Sequence, residues 1–479
     1  MIWEFTKYKD NIALCDSNGL MLKYSDLNIL QQKLTELVPE RSLILILSTN
    51  QIGSVAGYLS MLNQGCVMLL LDARIDRIFV ESILESYHPQ YLLLPDGMAK
   101  ERNELERIVS FYGYTLLKLN VSVKYRLHEE LALLLTTSGS TGSPKFVRQS
   151  YKNIMSNMTS IATYLELDSS ERPITTLPMS YTYGLSIIHS HIHVGATVLL
   201  TEFSLLQKEF WDFFRSNGAT SFGGVPYTYE ILKKIRLEQF ELPSLKTMTQ
   251  AGGKLSIPLH EHFATYANDT GRKFIVMYGQ TEATARMSYL PMEQTLEKSG
   301  SIGIAIPGGK FTLVDDMGRE IVETETVGEL VYQGENVTMG YSESCFDLDK
   351  GYERDGVLKT GDMAKRDKDG YYYITGRKKR FVKVYGNRVN LDECEMLLKR
   401  AFDNLNCCVS GIDDSIYIFL TEQQDGKAKN YLSEKMNLNK TAFREVVLEE
   451  IPVTTSGKTE YRALERYMSI KQEGENKYE

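Results

Sequence analysis

The amino-terminal part of the chain alternates between unbroken apolar runs and stretches in which apolar residues recur every three or four positions. Leu43-Ile44-Leu45-Ile46-Leu47, Val67-Met68-Leu69-Leu70-Leu71 and Tyr91-Leu92-Leu93-Leu94 are short and continuous. Such runs predict strands buried on both faces of a parallel sheet. Residues 52–64 and 78–87 have helical spacing, so the order of elements is α/β. Residues 197–201 and 274–278 repeat the strand signal further on.

After Gly300 the texture changes. Gly308-Gly309, Asp315-Asp316-Met317-Gly318 and Asp367-Lys368-Asp369-Gly370 punctuate short β-like runs at 311–314, 328–333 and 371–375. These predict a hairpin-rich β subdomain. From Gly376 the chain turns basic, with Arg377-Lys378-Lys379-Arg380, and then begins a further unit of strands with helices expected at 392–402 and 440–449. The expected fold is α/β, with a large N-terminal domain of layered α/β subdomains plus a β subdomain over residues 1–377. A small mobile α+β domain is expected over 378–479.

Composition narrows the function classes. A chain of 479 residues exceeds what one core supports, so more than one domain is expected. Hydrophobic content of 43%, with 24% charged residues, is that of an ordinary globular protein. A net charge of −8 argues against a nucleic-acid partner. The start, Met1-Ile2-Trp3-Glu4-Phe5-Thr6-Lys7, does not read as a signal peptide, and no apolar run approaches the ~20 residues of a membrane span. The six cysteines are scattered without zinc or disulfide spacing, which fits reduced thiols and a cytoplasmic location. His189-Ser190-His191-Ile192-His193 would put alternating imidazoles on one face of a strand, but no carboxylate or cysteine lies close by, so a structural role is expected.

The strongest chemical signal is Leu135-Thr136-Thr137-Ser138-Gly139-Ser140-Thr141-Gly142-Ser143-Pro144-Lys145. An apolar run leads into a loop of small hydroxyl-bearing residues and then a lysine. Exposed backbone N–H groups and hydroxyls in such a loop can converge on phosphate oxygens, with Lys145 adding charge. A plain Ser/Gly linker would not need the preceding strand. A Walker loop does not fit either, because Phe146 follows the lysine and the glycine spacing differs.

This loop resembles the signature of the adenylate-forming superfamily of acyl-CoA synthetases, peptide-synthetase adenylation domains and luciferases. Further segments of that type follow in order: Met277-Tyr278-Gly279-Gln280-Thr281-Glu282, Gly328-Glu329-Leu330, Lys359-Thr360-Gly361-Asp362, Gly376-Arg377 running to Gly386-Asn387-Arg388-Val389, and Thr455-Ser456-Gly457-Lys458. The resemblance implies ATP and Mg2+ as cofactors and a carboxylic acid as substrate. It places Thr137, Ser138, Gly139, Ser140, Thr141, Gly142 and Lys145 on the phosphates, and Gly252, Gly253, Tyr278 and Gly279 around the adenine. Thr281 would contact the α-phosphate and Glu282 would hold magnesium, which favours one or two carboxylates with substrate phosphates and water. Asp362 would bind the ribose hydroxyls and Arg377 the ribose or phosphate side. Lys458 would bridge carboxylate and phosphate in the transition state, a type of contribution worth ~10²–10³ in rate. Lys379 takes the hinge position, with Lys383 and Gly386 in the segment that serves the thiol step.

The acyl pocket is expected around Tyr181, as gate, Gly224 and Arg286. Lys254 and Arg286 are unusual beside a plain fatty acid and are read either as partners of a polar substrate group or as surface residues. Phe146 stands where glycine is usual, Tyr151 where histidine is common, and Glu460-Tyr461 where Asp-Arg is often seen. None of these departures removes a charge that the chemistry needs. The leading expectation is an AMP-forming ligase that activates a small or medium acid and passes it to CoA or a carrier-protein thiol. Direct transfer to an amine, and a nucleotide-binding relative without catalysis, are the alternatives.

Overall fold

The computed structural model describes residues 2–136, 145–378, 380–385, 387–402, 405–412, 414–436, 438–453 and 459–475. The described chain divides into two compact units, one of residues 1–310 and 332–358, the other of 311–331 and 359–479.

The first unit is built on two large sheets. In the eight-stranded sheet, Leu43–Ser48 pairs in parallel with both Val67–Asp72 and Tyr91–Pro95, and Val67–Asp72 pairs in parallel with Leu131–Thr136. The apolar runs fill these strands because helices cover both faces: Leu43 to Leu47 are all 1% exposed or less. The helix Ile52–Asn63 is buried along its whole length, which explains why it is apolar on every side. The nine-stranded sheet contains the parallel strands Ser221–Gly224, Thr247–Gln250 and Lys273–Tyr278 side by side, and their carboxyl ends carry the candidate site.

The expected β subdomain is a four-stranded sheet of Lys310–Val314, Gly328–Gln333, Val357–Arg366 and Tyr372–Arg377. Most of it groups with the second unit. That unit also holds the hairpin Phe381–Val384/Asn387–Asn390 and a three-stranded sheet flanked by helices Leu391–Ala401 and Lys427–Met436.

Two expected elements are corrected. Residues 440–449 are not a helix: a short 3-10 turn, Lys440–Ala442, leads into the strand Phe443–Val447, which pairs in parallel with Ser415–Leu420. The Phe-Arg-Glu-Val-Val run is rich in β-forming residues, and a neighbouring strand decides its state. The histidine run lies in the helix Thr182–His193, not on a strand. Leu185, Ile188 and Ile192 provide the three- and four-residue spacing that a five-residue window missed. His189 is buried against Tyr58, whose hydroxyl lies 2.7 Å from Nε2, and among the described residues no cluster suited to a metal ion occurs.

Candidate active site

The strand Lys273–Tyr278 ends in a turn that reverses the chain within a few residues. Met287 N donates to the Tyr278 carbonyl, and Ser288–Tyr289 pairs back antiparallel on the strand end. At Gly279 an added Cβ would lie 1.6 Å from the Ala285 carbonyl oxygen, so only glycine allows this closure. The 3-10 turn Thr281–Ala283 presents Glu282 at its centre.

A second segment, 336–354, fixes that turn. Asn336 Nδ2 donates to the carbonyls of Ala283 and Arg286, and Thr338 N and Oγ1 both donate to the Glu282 carbonyl. The hydroxyl of Tyr341 donates to Glu282 Oε1 at 2.7 Å. Tyr341 is flanked by two cations: Lys145 Nζ lies 4.0 Å and the Arg354 guanidinium carbon 4.5 Å from its ring centroid. Burial, reinforced by the Glu282 charge, pushes the Tyr341 phenol up to about 12, so it stays protonated and donates. One carboxylate, a phenol and two cations thus meet beside a strand end.

Tyr341 reaches this position through strand pairing. Gly340–Ser342 pairs antiparallel with Phe146–Ser150, with Tyr341 opposite Val147. Arg148, fully buried, locks the pair: its guanidinium donates to the carbonyls of Tyr341, Met339, Lys350 and Gly351 and lies 2.9 Å from Glu353 Oε2. Thr136 pairs with Phe146, so the described residues on either side of 137–144 are held in one hairpin.

On the neighbouring strand ends, Gly252 has a φ of +85°, and an added Cβ would meet the Tyr181 hydroxyl at 2.5 Å. A Cβ on Gly224 would meet Thr228 and Tyr229. In the second unit, Asp362 and Arg377 face each other across paired strands, with Arg377 Nε 3.2 Å from Asp362 Oδ1. Asp362 is 4% exposed whereas Arg377 is exposed, so the carboxylate is fixed and the arginine lies outermost. Lys383 is exposed on its hairpin strand.

A family model described as "AMP-binding enzyme" matches residues 6–342. The chain belongs to the AMP-binding enzyme family. A sulfoacetate–CoA ligase of Cupriavidus necator is 30% identical over 288 residues, covering 60% of this chain and 55% of that protein. An oxalate–CoA ligase of Arabidopsis thaliana is 26% identical over 354 residues, covering 70% of this chain and 67% of that one. The match thus spans about half the length of the first of these relatives. The solved structure of O-succinylbenzoate Coenzyme A synthetase (MenE) from Bacillus subtilis, in complex with AMP, superposes with a TM-score of 0.78 at 22% identity, covering 96% of this chain and 97% of that one. This likeness shows the fold.

Within this AMP-binding enzyme, Lys145 and Glu282 each contact Tyr341 in the first unit, and Asp362 pairs with Arg377 in the second. Thr281 lies on the same turn as Glu282, and the Gln149 amide nitrogen lies 3.5 Å from its carbonyl oxygen. Thr137, Ser138, Gly139, Ser140, Thr141, Gly142, Lys379, Gly386 and Lys458 lie outside the described residues. Lys254 is exposed, whereas Arg286 is buried at 2% exposure. Sequence reasoning did not find Tyr341, Arg354 or Arg148. They reach the site through pairing between distant segments, which no local pattern in the sequence signals.

Proposed function

We propose that this chain is an AMP-forming carboxylic acid–thiol ligase acting on a small or medium acid. The observation that carries the reading is the Glu282–Tyr341–Lys145 cluster at the end of the strand Lys273–Tyr278. ATP and a carboxylate repel each other, so the site must supply positive charge and hold a metal before the two can react. Glu282 is a single partly exposed carboxylate with its orientation fixed by Tyr341, a donor set that suits magnesium arriving with nucleotide phosphates and water. When bound there, the metal would neutralise phosphate charge.

Lys145 and the loop residues Thr137 to Gly142 bind and orient the phosphates, and Lys458 bridges the carboxylate and a phosphate oxygen in the transition state. Tyr278, Gly252 and Gly253 frame the adenine, and Asp362 takes the ribose hydroxyls. A carboxylate oxygen attacks the α-phosphorus, the bond to the β-phosphate oxygen breaks in line, and pyrophosphate leaves. The thiol sulfur of CoA or a carrier protein then attacks the acyl carbon, and AMP leaves. Rotation near Lys379 exchanges Lys458 for the segment with Lys383 and Gly386 between these steps. The relatives named for sulfoacetate and oxalate are in keeping with a small acid.

Acid-dependent exchange of labelled pyrophosphate into ATP tests the first step, followed by addition of CoA, carrier protein or an amine. Exchange with a short acid, and thioester on adding CoA or carrier protein, is expected. An amide with no thioester would replace this reading with direct amine transfer.

A further inference from the structure

Arg286 is buried, yet the groups around its guanidinium are neutral. Nε donates to Ser186 Oγ at 3.2 Å, one terminal nitrogen lies 3.1 Å from the Tyr164 hydroxyl and 2.6 Å from Met277 Sδ, and the group sits 4.5 Å from the Tyr183 ring centroid. Among the described residues no carboxylate forms an ion pair with it. Taking a cation out of water without an anion is costly, and buried charges are as a rule paired.

Arg286 lines a narrow, partly open pocket of about 20 Å³, together with Leu165, Ile187, His191, Phe222 and Thr249. An unsatisfied buried atom lies on this wall. His191, 3% exposed, places Nδ1 2.8 Å from the Ile187 carbonyl, so that nitrogen carries the hydrogen and Nε2 is an acceptor. Nε2 is buried and has no partner. The one carboxylate on the lining, Glu171, is already matched by Lys246 at 3.3 Å and by the Thr220 hydroxyl. Arg286 follows Glu282 by four residues on the same reversed turn, and from Arg286 the pocket runs along the neighbouring strands to Ser221 and Thr247 at their starts.

We propose that Arg286 binds the far end of the acid substrate, and that the enzyme selects short acids carrying a second anionic group, a carboxylate or a sulfonate. This rests on the ligase reading above. A planar guanidinium takes either group through paired hydrogen bonds. His191 Nε2 accepts from a water that hydrates the same anion. A plain alkanoate would leave Arg286 buried and unmatched, which is a loss rather than a neutral fit.

The test compares matched acids in pyrophosphate exchange: butyrate against succinate, propionate against malonate, and 3-sulfopropionate as the sulfonate arm. The wild-type enzyme is expected to prefer at least one dianionic acid over its matched monoanion by about 10²-fold in kcat/KM. In Arg286→Met this ratio should collapse to within about threefold, with Arg286→Lys between the two. A wild-type ratio near or below one overturns the proposal whether or not either variant folds. Calorimetric titration of the wild-type protein with succinate and with butyrate separates the two readings. If no acid drives exchange, the ligase reading fails, while tighter succinate binding still supports the Arg286 site and equal or absent binding overturns it.

Discussion

The Tyr341 hydroxyl donates a 2.7 Å hydrogen bond to Glu282 Oε1, joining two residues that lie 59 positions apart in the chain. One carboxylate oxygen is thereby oriented, as the metal role proposed for Glu282 requires. Tyr341→Phe keeps the ring between Lys145 and Arg354 but removes this donor. Adenylation should slow about tenfold, the scale of one charge-assisted hydrogen bond, and the magnesium requirement should rise. Exchange rates measured across a magnesium titration check this. An unchanged magnesium dependence would leave Tyr341 with a packing role alone.

Arg148 is expected to matter for the fold rather than for the chemistry. Its guanidinium holds four carbonyls and Glu353 from a position with no solvent access. Arg148→Met would leave several buried acceptors without donors, at about 1–3 kcal/mol each before relaxation. Thermal unfolding should show a clearly lowered midpoint. A midpoint within a degree of wild type would contradict the account.

Gly279→Ala tests the reversed turn. The new Cβ would collide with the Ala285 carbonyl, which is backbone and cannot swing aside as a side chain could. Strain at such a site costs on the order of 1–3 kcal/mol, and the turn that presents Glu282 should shift. The expected result is a folded protein with little adenylation, read by circular dichroism together with exchange.

The parts of this design that sequence revealed are those fixed by local pattern. Leu43 to Leu47 and Val67 to Leu71 are unbroken apolar runs because both sheet faces are covered, and that condition is visible in one dimension. The turn at 278–282 was legible because Gly279 and Glu282 carry constraints of their own. Tyr341 and Arg148 were not, since their roles depend on pairing Gly340–Ser342 with Phe146–Ser150. His189 to His193 misled for a related reason: five residues alternate as a strand would, while the helix is declared by Leu185, Ile188 and Ile192 around them. Phe443 to Val447 shows the complement, a segment whose state is settled by a strand more than twenty residues away.

Those histidines give a pH prediction. Burial lowers His189 from 6.5 to about 3, and burial, partly offset by the Ile187 carbonyl, lowers His191 to about 4. Both are neutral when folded, so between pH 6.5 and about 4 the unfolded chain binds more protons than the native one. Their contribution to stability is therefore fully present above 6.5 and is lost as pH falls toward the folded values. His189→Gln should show a shallower decline of unfolding free energy between pH 6.5 and 4 than wild type. Parallel denaturant titrations over that range would show it, and an equal or steeper slope in the variant would contradict the burial argument.

The central claim is that ATP is cleaved between its α- and β-phosphates by a carboxylate. Phosphorus NMR of the protein with magnesium-ATP, a short dicarboxylic acid and CoA reads the products directly. The account predicts AMP and pyrophosphate, formed only when the acid is present and strongly reduced in Glu282→Ala. Formation of ADP and inorganic phosphate, or AMP release that does not depend on the acid, would contradict it.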